Sequence, residues 1–158
     1  MAKRQELKYQ KVIIKSYKEQ AGMAEHWNNE WIKGPPDLIC CIQSPRLGVH
    51  LVEVKHLPTL SKVIQNPMTP KQQEYAKKYI DAGGAVFLAI VKNEARASRD
   101  SRDGVDNVTT SKLAFFNARS KMIDPQRALW VPYVLGKGYD IMRALKNCEQ
   151  QPYGLREL

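Results

Sequence analysis

Three residues within one short stretch have the chemistry of a hydrolytic metal site. Asp37 follows two prolines, and Glu53 and Lys55 sit on either side of Val54 in the segment G-P-P-D-L-I-C-C-I-Q-S-P-R-L-G-V-H-L-V-E-V-K, residues 34–55. Carboxylates are hard oxygen ligands of the kind that Mg²⁺ or Mn²⁺ prefers. A phosphodiester repels an attacking hydroxide. A cation on its non-bridging oxygens, with a water oriented in line, lowers that barrier. An ammonium such as Lys55 can orient the water and stabilise charge building on phosphorus. Whether Lys55 also takes a proton depends on a depressed pKa, which spacing does not report. The plain alternative is structural: a Glu53–Lys55 ion pair on a strand, with Asp37 capping a turn.

The elements that must position these groups are readable on either side. Leu38–Ile42 and Val49–Val54 are apolar runs around a Pro/Gly turn, which predicts a hairpin. Strand alternation puts Glu53 and Lys55 on one face and Val52 and Val54 on the other, in an apolar layer. His50 and His56 alternate away from Glu53. Ahead of the hairpin, residues 5–20 read as a helix with Ile13, Ile14 and Tyr17 as its apolar patch. Glu6 and Gln10 extend the same face. Glu6 is either a first-turn carboxylate favoured by the helix dipole or a group reaching toward the site. Residues 21–33 read as a connection or short strand. Its His26, Trp27, Asn28, Asn29 and Trp31 can stack on bases or bond phosphates, or a tryptophan closes the core edge.

Residues 56–68 read as a loop leaving the strand beside the site, long enough to be functional. Thr69 then fits an N-cap, with Pro70 at N1 and Gln72 at N3 of a capping box. That helix should run to about Ala82 on an apolar face of Tyr75, Ala76, Tyr79 and Ile80, and end at Gly83-Gly84. Gln72 either completes the cap or reaches into the site. One rotamer should favour one role, and the site is preferred. Ala85–Val91 predicts a central strand buried on both faces, so strand, helix and strand imply a crossover and a mixed sheet. Lys92–Gly104 is charged and aperiodic, and Arg96, Arg99 and Arg102 are its phosphate-binding candidates. Ser111–Met122 reads as a short helix carrying Leu113, Phe115 and Phe116. Leu129–Val134 reads as a strand that Pro132 confines to an edge. Tyr139–Asn147 reads as a last helix packed through Ile141, Met142 and Leu145.

Taken together, Pro36-Asp37 and Glu53-x-Lys55 resemble the motif of the PD-(D/E)XK nuclease superfamily. More narrowly, the chain is similar to its VRR-NUC branch, related to Holliday-junction resolvases. Glu6 and Gln10 open a helix ahead of the motif as in that branch. Gly34 with Pro36-Asp37 fits its G-x-P-D, Thr69-Pro70-Lys71-Gln72 its helix start, and Gly83-Gly84 with Ala85–Val91 its next strand. The resemblance covers about residues 5–92. It implies an α/β fold with a restriction-endonuclease-like core and a central mixed sheet flanked by helices. All of residues 1–158 then form one nuclease domain, with its core at about 5–92 and 128–148 and an inserted charged segment at about 93–127. It implies Mg²⁺ or Mn²⁺ on Asp37, Glu53 and the backbone carbonyl of Val54, with Lys55, Glu6 and Gln72 completing the catalytic set. Gln10, Trp27, Asn28, Lys71, Arg96, Arg99 and Arg102 are the candidates for contacting nucleic acid.

The expected activity is hydrolysis of DNA phosphodiesters by a Mg²⁺-activated water, selective for branched or junction structures. The alternatives are a nuclease-fold module that binds nucleic acid without cutting it, and a protein-interaction factor whose basic surface is incidental.

Bulk composition agrees with a soluble partner of a polyanion. At 158 residues one core can form without staples. The net charge of +9 suits DNA ahead of an anionic membrane. Cys40 and Cys41, adjacent in a predicted buried strand, make no disulfide framework and read as reduced thiols in an intracellular, cytoplasmic setting. No apolar run is long enough for a membrane span, and no signal peptide is evident. A homodimer is compatible with this reading.

Overall fold

The computed structural model describes residues 2–27, 34–43, 47–93 and 108–149. Asn28, Asn29, Trp31, Arg96, Arg99 and Arg102 lie outside the described residues. The hairpin forms as its alternation predicts: β2 (Leu38–Ile42) and β3 (Gly48–His56) pair antiparallel, with Leu38 opposite Val52. On its other side β3 pairs parallel with β5 (Val86–Asn93). Parallel neighbours need a crossover, and α2 (Pro70–Asp81) supplies it. Thr69 caps α2 in an extended conformation, Pro70 stands in its first turn, and the reciprocal capping box with Gln72 is complete. β1 (Met23–His26) adds to β2 at one edge, and beyond β5 come β6 (Ser111–Asn117) and β8 (Val131–Pro132), so the six-stranded mixed sheet runs β1-β2-β3-β5-β6-β8.

β6 (Ser111–Asn117) corrects the expectation of a helix at 111–122 within an inserted segment. It pairs antiparallel with β5 along its whole length and is buried almost throughout. Residues 111–117 are therefore part of the central sheet. Phe115 and Phe116 point to opposite faces and enter different core clusters. Burying a side chain of that size stabilises by about 1.5–3 kcal/mol, so the strand is a principal core element. β8 (Val131–Pro132) pairs with β6 at the far edge, where Pro132 was expected, but only two residues long. The loop after β3 contains β4 (Ile64–Gln65), which pairs with β7 (Met122–Ile123).

Two apolar layers sandwich the sheet. One lies under α1 (Ala2–Glu19) and α3 (Ile141–Glu149) and includes Tyr9, Ile13, Tyr17, Val52, Val54, Phe87, Phe115, Ile141 and Leu145. Tyr9, at the i−4 position from Ile13, continues the buried stripe, while Ile14 is only half-buried. The other layer lies under α2 and includes Leu51, Leu88, Ile90, Phe116, Ala76 and Ile80. Gln20 ties α1 to α3: its Oε1 accepts the Ile141 N–H at 2.8 Å and its Nε2 donates to the Tyr139 carbonyl at 2.6 Å. Asp140 caps α3 by accepting the Arg143 N–H at 3.1 Å. Met142, expected to pack, is exposed, and Ala144 and Cys148 fill that role beside Leu145. Cys40 is buried and Cys41 is exposed, so only the first meets the expectation of burial.

Candidate active site

The site is built where β2 begins and β3 ends. Residue 36 would stand opposite Val54 if the hairpin pairing continued. The ladder stops at Leu38, and the side chain of Asp37 takes over: its Oδ2 accepts the Val54 N–H at 2.9 Å. The Asp37 carbonyl accepts the Trp27 N–H at 2.8 Å from the β1 side. Gly34 sets the approach of this loop. Its φ of +105° belongs to the glycine region, and a Cβ there would lie 2.8 Å from the Lys71 carbonyl oxygen. Only a glycine lets residues 34–37 lie this close to the first turn of α2, which carries Gln72.

Glu53 is the centre of the arrangement. It faces the α2 side of the sheet and is 2% exposed. Its Oε2 accepts Gln72 Nε2 at 3.0 Å and lies 3.6 Å from Lys55 Nζ. Its Oε1 is buried and accepts no hydrogen bond. Asp37 stands within hydrogen-bonding reach of Glu53. Burial, reinforced by the charge of Asp37 and opposed by Lys55, pushes the Glu53 carboxyl up to about 9. Burial also raises Asp37, against the stabilising Val54 N–H. Glu6 approaches from α1. Burial raises it as well, with Lys55 opposing and Asp37 adding to the shift. Three carboxyl groups and one ammonium from three segments thus share one electrostatic environment.

Gln72 departs from the expectation of one role or the other. While Nε2 holds Glu53, Oε1 accepts the Thr69 N–H at 2.9 Å. A single rotamer serves both roles because the amide has a donor end and an acceptor end.

Among the described residues no group of three or more histidine, cysteine or acidic side chains is placed to hold an ion by itself. Mg²⁺ does not need one, since it keeps several waters and is commonly held by one or two carboxylates. Two adjoining carboxylates, half-buried Asp37 and buried Glu53 with an oxygen that accepts nothing, form a donor set that fits such an ion.

The remaining predicted residues divide. Lys71 is exposed in the first turn of α2. Trp27 is half-buried and packs at the edge of the α2-side core, the structural of its two readings. Gln10, expected to contact nucleic acid, is buried on α1. His26 was read as a base-stacking candidate. The structure puts it, exposed, opposite Leu38 on β1, on the strand that adjoins the Asp37 end of β2. Only the β1–β2 register reveals this, and residues 21–33 carry too little pattern to predict it. His50 and His56 face away from Glu53 as alternation requires. His56 stacks on Tyr9 and bonds Asn93 Oδ1 at 2.7 Å. His50 is fully buried. Its Nδ1 donates to the Gly48 carbonyl at 3.0 Å, so its Nε2 accepts the Tyr17 hydroxyl at 2.7 Å. No helix among the described residues is long and apolar enough to cross a membrane. The sequence matches no known protein-family model and no curated protein, so these residues carry the functional argument alone.

Proposed function

We propose that this chain is a metal-dependent nuclease that hydrolyses DNA phosphodiester bonds, acting as a structure-selective endonuclease on branched or junction DNA. The fold is then a restriction-endonuclease-like core, as the PD-(D/E)XK resemblance implies. One observation carries the reading: half-buried Asp37 adjoins buried Glu53, whose Oε1 accepts no hydrogen bond. Ionising both carboxyls at such close range costs stability. A pair of this kind is expected where a cation is meant to bind.

Asp37, Glu53 and the Val54 carbonyl would hold Mg²⁺ or Mn²⁺, which supplies charge neutralisation at the phosphate and a more acidic water. The protein groups do the rest. The Val54 N–H fixes the Asp37 carboxylate, and Gln72 fixes that of Glu53. Outer partners of this kind keep ligands in one orientation. Lys55, whose side chain is 15% exposed, lies 3.6 Å from the more deeply buried Glu53. From there it orients the attacking water and meets charge developing on the phosphate. Glu6, half-buried on α1, accepts a hydrogen bond from water on the other side. Lys71 offers a surface cation to the substrate backbone.

The test is incubation with labelled linear, flap, four-way-junction and single-stranded DNA in Mg²⁺, Mn²⁺ or EDTA. Cleavage should require the metal and favour branched substrates. Metal-dependent binding without cleavage of any substrate would reassign the chain to a non-cutting nucleic-acid module.

A further inference from the structure

The basic side chains are unevenly matched by acids. Two of those around α2 meet acids: Lys78 Nζ lies 3.3 Å from Glu74 Oε1, and Arg119 Nη1 lies 3.5 Å from Asp81 Oδ1. On α1 the pattern differs at Lys11, Lys15 and Lys18. Lys8, Lys11, Lys15 and Lys18 are all exposed. Their spacing confines them to an arc of about 80° at ~3.6 residues per turn, over a length of about 15 Å. The opposite side of the helix sends Tyr9, Ile13 and Tyr17 into the core. Successive members of the stripe are i, i+3 or i, i+4 neighbours, a like-charge arrangement that destabilises a helix. Among the described residues Lys11, Lys15 and Lys18 make no ion pair, and Glu19 is the one acid at i+4 from a member. α3, tied to the end of α1 by Gln20, adds exposed Arg143 and Lys146.

We infer that the exposed face of α1 is a docking surface for the phosphate backbone of duplex DNA outside the cleavage site. The stripe starts at the end of α1 that carries Glu6 and runs away from Asp37 and Glu53. A duplex presents one charge per ~1.7 Å of axis, so ~15 Å of it offers about nine phosphates to these lysines. An anionic membrane fits less well. Surface-lying helices insert a free apolar face, whereas the apolar face of α1 is already buried under the sheet. Leu7 is the one large apolar side chain exposed among the described residues of α1. The inference rests on the nuclease reading for the identity of the polyanion, but its test needs neither metal nor cleavage.

The experiment is a salt titration of binding in EDTA, using duplexes of about 12 and about 40 base pairs. Wild type is compared with the triple variant Lys11→Gln, Lys15→Gln, Lys18→Gln. Each phosphate contact contributes about 0.9 to the salt slope, so the variant should bind with a slope shallower by about 2 to 3. It should also lose the preference for the longer duplex, with at least a tenfold drop in affinity for it. Its melting temperature should not fall, because removing like-charge neighbours does not harm the helix. An unchanged slope and length preference, with wild type binding DNA normally, overturns the α1 inference and leaves the nuclease reading standing. Failure of wild type to bind any duplex in EDTA overturns the α1 inference alone, since the nuclease reading is tested by cleavage in Mg²⁺ or Mn²⁺. Binding of wild type to phosphatidylserine vesicles, lost in the triple variant while DNA binding is unchanged, assigns the stripe to a membrane and overturns it too.

Discussion

Gln72 Nε2 donates to Glu53 Oε2 across 3.0 Å, and the opposite end of the same amide holds the Thr69 N–H that begins α2. The orientation of the central carboxylate is therefore set by the same interaction that starts the crossover helix.

Separating the two roles is straightforward. Thr69→Ala removes the cap and should cost about 1 kcal/mol of stability, with cleavage nearly unchanged. Gln72→Ala should cost a similar amount and also lower cleavage about 10–100-fold, because an outer partner of a ligand is lost. Urea denaturation and turnover at saturating Mg²⁺ give both numbers. Equal turnover in the two variants would show that Gln72 acts only as a cap.

Asp37→Asn keeps an oxygen for the Val54 N–H and loses the charge. Folding should survive while cleavage disappears. Wild type should melt higher in millimolar Mg²⁺, by an amount equivalent to about 2.7 kcal/mol at a hundredfold excess over Kd. Asp37→Asn should melt at one temperature with and without the ion. Differential scanning fluorimetry decides it, and a metal shift retained in the variant counts against Asp37 as a ligand.

Without metal, Glu53 should make the protein less stable as pH rises. Its folded value, about 9, lies above the ordinary 4.5, so the folded chain holds the extra proton between the two. Stability contributed by this group is complete below about 4.5 and declines as pH climbs toward about 9. In EDTA at pH 8, Glu53→Gln should be more stable than wild type and should show a flatter pH dependence. Denaturation curves at pH 6 and pH 8 test this, and the idea fails if both proteins lose stability equally.

His50 works in the opposite direction. Burial, against the Gly48 carbonyl, lowers its value from 6.5 to about 4. The unfolded chain takes up that proton first, so stability falls as pH drops from 6.5 toward 4. His50→Leu should flatten this acid limb. It should also cost about 1–3 kcal/mol at pH 7, because the buried Tyr17 hydroxyl keeps only the weak Cys40 thiol as a partner. Adding Tyr17→Phe should recover part of the loss. Acid titration followed by circular dichroism reads the limb directly.

Sequence pattern exposes those parts of the chain whose environments differ from side to side. The β2–β3 hairpin has one core face and one site face near its end, so its alternation is visible. α2 announces itself through Thr69, Pro70 and Gln72, because a cap is a local interaction. β6 is hidden for the opposite reason. Its S-K-L-A-F-F-N is buried on both faces, which erases the period of two, and Leu113 with Phe116 imitates a helical spacing. β4, β7 and β8 are two residues each, too short for any period. At the site, the identities of Asp37, Glu53, Lys55 and Gln72 are legible in order and spacing. The bond from Val54 to Asp37 and the fit of Gly34 on Lys71 are not, since both depend on how segments far apart in the chain meet.

The last paired residues of β5 and β6 are Asn93 and Ser111, which face each other across the ladder. The chain that leaves the sheet at 93 re-enters beside its own exit, so the register sets no length for the stretch between them. Peptides of very different size can be carried there while β5, β3 and the carboxylates of Asp37 and Glu53 stay in place. That makes the position a natural port for new sequence, open to variation among relatives and to the insertion of a reporter or a targeting module by design.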